Sequence, residues 1–400
     1  MTTQAEWTIL MFLNAKNNLE PFAFPNFEQI ASIGSTNEVQ FAVEFGRPKG
    51  HYTNDFGAWT KTLRFHVTKG MKPVEASAAE DLGTTDMGDA KTLIDFVTWG
   101  RKKFPSKRTM LIIWNHGQGW RRPTDNAKPV AAPSAVRYVS NDEDTGNQLY
   151  NRAIQDELAK LLKGDKLDVI AFDACLMAMV ETAYALRDVS KVLVGSQEVE
   201  PGNGWDYTSW LEPLVKAKGD VDAAALGKLL VKGMEATYGD NDDTTLSATD
   251  LGRAADLGKA ISRFADVATK QLSPATIDAF KQARNSVSNY APGYNLHSID
   301  LGHFMDQIAK SSVDQHVGAA AGEVQLALRA AMIQNYASKS RQGKFGSQGL
   351  SIYFPKSAAA HAGDYDGEAY AKGASVPYPV EFVEKEKWAA FLDAYWKLVP

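Results

Sequence analysis

Short, nearly uninterrupted apolar runs, each followed by a helix-like stretch, recur from Trp7 to Gly195, and this alternation restricts the chain more than any other feature. The β-like runs are Trp7 to Leu13 (WTILMFL), Val39 to Glu44 (VQFAVE), Thr109 to Trp114 (TMLIIW), Leu167 to Phe172 (LDVIAF) and Val192 to Gly195. A further run, Thr62 to Thr68 (TLRFHVT), reads as a hairpin or edge extension. Between them lie helical stretches around Pro25 to Ile33, Asp89 to Phe104, Gln148 to Leu162 and Met177 to Leu186. In Asp89 to Phe104 the apolar residues Leu93, Phe96, Val97 and Phe104 follow the 3.6-residue period. Strands without polar alternation are buried on both faces. The pattern therefore predicts an α/β fold with a mostly parallel sheet flanked by helices.

After Pro213 the grammar changes. Helical stretches rich in Ala, Leu and Lys dominate from Asp220 to Ala337, interrupted by one β-like segment at Thr244 to Thr249. A strand at Gly349 to Phe354 (GLSIYF) and a helix near Lys385 to Leu398 close the chain. We expect a catalytic domain over 1–213 and a helix-rich C-terminal domain over 214–400, which returns the strand at 349–354 and the last helix. A net charge of −5 gives no basic face for nucleic acid. No apolar run reaches the roughly 18 residues needed to cross a bilayer, and the first residues lack the basic and apolar regions of a signal peptide. The expectation is a soluble monomer, cytoplasmic or exported as a mature fragment.

In an open parallel sheet, ligands bind beyond the carboxyl ends of the strands. Two strands end in reactive residues: one runs into Asn115-His116-Gly117-Gln118-Gly119, the other into Asp173-Ala174-Cys175-Leu176. With a single cysteine in the chain, no intramolecular disulfide can form, and the thiol is either inert packing or a reactive group. A lone cysteine after an apolar strand is more often packing. Paired with a histidine at the end of the preceding βα unit, it reads as a nucleophile. Cys175 would attack a carbonyl, with His116 as its acid/base partner. Gly117 lets backbone amides approach the developing oxyanion, and the N–H of Cys175, at a helix start, is the second donor. Asp173, two residues before the nucleophile, would pair with a guanidinium or ammonium in the same cleft. Alternatively it caps the following helix.

These motifs resemble the clostripain family of cysteine peptidases, which shares a clan with caspases, legumains and gingipains. The resemblance is carried by Thr8 to Asn14 with Asn18-Leu19-Glu20, by Asn115 to Trp120 and Phe172 to Met177, and by Glu181 and Ser196-Gln197-Glu198. Pro201 to Tyr207 and Gly349 to Pro355 extend it over nearly the whole chain. The histidine lies 59 residues before the cysteine (116 against 175), where caspases have roughly 50 and a glutamine in place of Asp173. The resemblance implies a caspase-like fold and an endopeptidase cleaving after Arg or Lys, with Cys175 as nucleophile, His116 as catalytic histidine and Asp173 in an acidic pocket. It also implies peptide or protein substrates with a basic P1 residue, calcium in some members, and self-cleavage in the loop after the histidine. That loop, 119–147, carries Arg121, Arg122, Lys128 and Arg137, of which Lys128 is the first expectation.

Beyond the next strand, Glu198 is read as a second acidic group of the cleft and Trp205 as one of its walls, while Glu200 and Asp206 read as surface residues. Asn141 to Asn147 clusters oxygen donors, Asp142 and Asp144 among them, suited to a hard cation. The segment lacks EF-hand spacing, and a turn leading into a helix is the alternative. No cofactor is required by the sequence itself. Lys16 stands where relatives commonly carry an acid; facing the cleft, it would weaken basic-substrate binding or inhibit from within. His51, His66, His297, His303, His316 and His361 show no metal-type spacing. The competing reading is a non-catalytic peptide-binding or regulatory module on a peptidase fold.

Overall fold

The computed structural model describes residues 4–50, 52–119, 140–294, 296–311, 314–364, 367–376 and 379–399. Its strands are β1 (Ala5–Asn14), β2 (Val39–Gly46), β3 (Thr62–His66), β4 (Glu80–Asp81), β5 (Ser106–Trp114), β6 (Ser140–Asp142), β7 (Asn147–Leu149), β8 (Leu167–Asp173), β9 (Ser190–Gly195), β10 (Thr245–Asp250), β11 (Ser298–Asp300), β12 (Met332–Ala337) and β13 (Ser351–Tyr353). Nine form one sheet in the order β12-β10-β9-β8-β5-β1-β2-β3-β4. The central five, β9 to β2, run parallel. Antiparallel strands extend both edges, β10 and β12 on one side and β3 and β4 on the other. The expected α/β architecture is present.

Helices cover both faces because each apolar strand has two sides to hide. Along β1, Trp7, Ile9, Met11 and Leu13 enter one core, and Leu10 and Phe12 enter the other. The first core holds α1 (Glu20–Ile33) with the helices Tyr207–Lys216 and Ala223–Tyr238. The second holds α2 (Ala90–Lys103), α3 (Asn151–Leu162) and α4 (Val180–Leu186), together with most of the C-terminal helices. That C-terminal part is helix-rich, as expected. The sheet nevertheless continues past residue 213, because β10 and β12 hydrogen-bond onto β9.

Three local expectations shift. The segment 332–337 is an edge strand rather than helix; it follows the helix Gln315–Ala331 with no loop between them, so periodicity gives no break. The strand near 349–354 pairs with β11 in a separate two-stranded sheet. Finally, α4 begins at Val180 and not at Met177. Backbone bonds from Leu176 to Glu198 (3.1 Å) and from Ala178 to Ser196 (2.8 Å) tie the preceding turn to the loop after β9 instead.

Candidate active site

The carboxyl ends of β5 and β8 lie side by side, with Trp114 in register with Asp173. The two chains therefore leave the sheet together, and His116 and Cys175 line one cleft of about 270 Å³. Gly117 packs against the backbone of Cys175. A Cβ there would stand 2.3 Å from the Cys175 carbonyl oxygen and 3.0 Å from its nitrogen, so only glycine fits. Cys175 does not open a helix, as the sequence implied. It sits in an irregular turn five residues ahead of α4, and the next residue, Leu176, is left-handed with φ +61°. A bulky side chain in that region is strained, and the two cross-loop bonds hold it there.

His116 is positioned from β1. Its Nε2 lies 2.8 Å from Oδ1 of Asn18. That oxygen can only accept, so Nε2 carries the ring proton and Nδ1 has a free lone pair. The backbone N–H of His116 donates to Oδ1 of Asn115 (2.6 Å), whose amide donates to the Asn14 carbonyl (2.6 Å). Asn18 belongs to the matching N-terminal motif, and the sequence reading gives it no part in the site. A polar residue just beyond a central strand's carboxyl end is the signal that could have found it.

Burial holds the imidazole down at about 4. The thiol is pushed up to about 12, first by burial, against the N–H of Glu200 that donates to Sγ at 3.2 Å, and further by the negative field of Glu200, Glu198 and Asp173. At rest the pair is thus a neutral thiol and a neutral imidazole. Burial raises the one and lowers the other, and the negative field adds to the cost of forming the thiolate.

Asp173 does not cap a helix. Its buried Oδ2 accepts from the Tyr207 hydroxyl (2.8 Å) and the Trp205 N–H (3.4 Å). Gly204 closes over it; a Cβ at that position, where φ is +63°, would lie 2.9 Å from Oδ2. Glu200, read as a surface residue, also lines the cleft and stands against Asp173. Burial and the neighbouring carboxylate raise Glu200 far above the usual range; Asp173 is raised by burial and relieved by Glu200's hydrogen bond. The two acids therefore compete for a proton, and Glu200, the donor toward Asp173, is the one held further above its usual range.

The other residues singled out in the sequence fall elsewhere. Glu198 is buried outside the cleft lining; its Oε1 accepts from Val199 (2.9 Å) and Ala291 (2.8 Å), and Oε2 meets Arg341 at 3.0 Å as an ion pair without hydrogen-bond alignment. Trp205 is not a wall; its indole N–H supports Glu200 at 3.1 Å. Asp206 caps the helix Tyr207–Lys216. Lys16 is buried away from the cleft, 3.3 Å from Asp142 and bonded to the Thr85 carbonyl. Asp142 also takes the N–H groups of Met87, Asp144 and Thr145, and Asp144 takes that of Lys49. Asp142 thus serves the β6–β7 hairpin turn with an ammonium beside it, and Asp144 ties that turn to Lys49. Among the described residues, no group of three or more His, Cys, Asp or Glu side chains is arranged to hold a metal ion. No helix is long and apolar enough to cross a membrane among those residues. Arg121, Arg122, Lys128, Arg137 and His51 lie outside the described residues. His66 stacks on Phe104 and His361 on Trp396.

The chain is similar in sequence and in fold to known proteins. A family model described as the clostripain family matches residues 11–396. Clostripain of Hathewaya histolytica is 22% identical over 420 residues, covering 93% of this chain and 77% of that protein. Among solved structures, a secreted C11 cysteine protease from Bacteroides thetaiotaomicron, "iotapain", superposes with a TM-score of 0.66 at 19% identity, over 98% of this chain and 99% of that one. An inactive zymogen C11 protease from Parabacteroides distasonis gives a TM-score of 0.62 at 17% identity, over 98% of this chain and 99% of that one.

Proposed function

The chain belongs to the clostripain family of cysteine peptidases, and from that premise we propose that it is an endopeptidase cleaving after lysine or arginine. One observation carries the reading: a thiol and an imidazole share a cleft with a buried acid pair. Carboxylate oxygens there would match the positive charge of a basic P1 side chain. A cation seated beside Asp173 and Glu200 would also cancel part of the field that holds the thiol protonated. Substrate binding would then help to form the nucleophile.

In the proposed reaction, Nδ1 of His116 takes the Cys175 proton as Sγ bonds to the scissile carbonyl carbon. The oxyanion turns toward the Gly117 and Cys175 backbone. As the C–N bond breaks, the imidazolium returns its proton to the leaving amine, and a thioester remains. Water, deprotonated by His116, then releases the acid and restores the thiol. Arg121, Arg122, Lys128 and Arg137 meet the same specificity, so self-cleavage near them belongs to the proposal.

The test is a fluorogenic panel varying only P1, run with and without a chelator on the native chain and on Cys175→Ala. Lys and Arg substrates should turn over, Ala and Leu substrates should not, and the variant should be inactive with its fold intact. Full activity in Cys175→Ala, or equal turnover of all P1 residues, overturns the reading.

A further inference from the structure

The wall of the cleft on the side away from His116 is apolar, and the C-terminal half supplies part of it. Sheet order sets the sides: His116 follows β5, Cys175 follows the adjacent β8, and Val199 follows β9 beyond that. Val199 and Leu176 line this side together with Tyr294 and Leu296. Leu176 and Leu296, with Tyr290 and Ala291, form a small core separate from those on the two sheet faces, and Cys175 and Val199 pack against it. The wall is held firmly. Glu198 grips the Ala291 N–H and pairs with Arg341, Ala291 is left-handed with φ +47°, and Tyr290 is hydrogen-bonded to Ser347 at 2.8 Å. On this support the short turn Pro292–Tyr294 presents a tyrosine 46% exposed at the rim of the cleft. A single exposed aromatic is ordinary on a surface. One on a braced wall, beside three other apolar residues and next to the nucleophile, is placed for a ligand.

The geometry points to a second substrate subsite, formed by Leu176, Val199, Tyr294 and Leu296, that takes an apolar side chain at P2, the residue before the basic one. The inference rests on the peptidase reading above. Its direction follows from the chemistry, because the amine must leave toward its proton donor, His116. The acyl part therefore extends from Cys175 the other way, toward Val199 and the C-terminal wall. In an extended peptide, successive side chains point to opposite sides. With P1 directed down to the buried acids, P2 turns toward the rim where Tyr294 stands.

The experiment uses peptides with Lys at P1 and Leu, Gly or Asp at P2, on the native chain, Tyr294→Ala and Tyr294→Phe. Native protein should prefer Leu over Gly by about tenfold in kcat/KM, the usual worth of a few methylenes in an apolar pocket. Tyr294→Ala should shrink that ratio to about twofold, and Tyr294→Phe should keep it, because the ring supplies the contact area. Equal rates for Leu and Gly in the native chain overturn the subsite, as does an undiminished ratio in Tyr294→Ala. An equal loss for both peptides overturns it too, showing a merely structural role. Binding of the same peptides to Cys175→Ala by fluorescence anisotropy separates the two readings. If nothing is hydrolysed the peptidase reading fails, while the Leu-to-Gly affinity ratio still decides the subsite.

Discussion

Removing both acids from the floor of the cleft, Asp173→Asn with Glu200→Gln, should make Cys175 more reactive toward a small neutral alkylating agent while turnover of basic peptides is lost. The thiol stands in a negative field, part of it from this pair. Two residues of chain separate Asp173 and Cys175 by at most about 6.6 Å along the backbone, which serves as the working distance. One unit charge at that distance, with an effective dielectric near 20, is worth about 2.5 kcal/mol. That corresponds to about 1.8 pKa units and a thiolate population larger by roughly 60-fold near pH 8. A less basic thiolate is also a weaker nucleophile, with a Brønsted slope near 0.45, so the net gain in rate is about tenfold. Either single substitution should change the rate much less, because the surviving carboxyl loses its repelling neighbour and takes over the negative charge. The assay is the pseudo-first-order rate of iodoacetamide addition, read by mass spectrometry on the chain's one cysteine. The electrostatic argument is refuted if the double variant reacts no faster than the native chain. It is refuted equally if either single variant shows the whole gain.

Two further outcomes follow from buried charges. His116 stays neutral down to about pH 4 in the fold, against an ordinary value of 6.5, so the unfolded chain binds the extra proton between those limits. The stability this confers is complete above pH 6.5 and is lost as pH falls toward 4. About 2 kcal/mol should disappear between pH 7.5 and 5, less as the cleft is solvated. Urea midpoints should therefore fall less in His116→Asn, and an identical fall would reject the linkage. Lys16→Met leaves Asp142 buried without its cation, which costs about 3 kcal/mol, the low end because three N–H groups remain on the carboxylate. For a chain of 400 residues that is a Tm lower by about 4 °C. Adding Asp142→Asn should recover much of the loss, and additive losses would contradict a paired role.

The apolar runs named the central strands, since a run with no polar alternation must be buried on both faces, and β1, β2, β5, β8 and β9 stand where those runs lie. The same logic placed His116 and Cys175 on one rim, because consecutive parallel strands end on the same side of a sheet. It failed where local pattern carries no distinguishing signal. The six residues of β12 follow a helix directly, and only pairing with β10 makes them a strand.

Glu198 and Glu200 illustrate the division most clearly. They are two residues apart, so alternation treats them alike. Arg341 and the Ala291 amide, contributed by segments far along the chain, draw Glu198 out of the cleft and leave Glu200 against Asp173. Lys16 and Asp142 likewise read as separate features, a misplaced charge and a cation ligand, until folding sets them 3.3 Å apart. Strand identity and the site's reactive atoms follow from hydrophobic pattern and residue chemistry, which are local and visible in one dimension. Which carboxylate faces the cleft, which is pushed further up and how far the thiol's proton is held depend on distances between segments remote in sequence, and those exist only once the chain is packed.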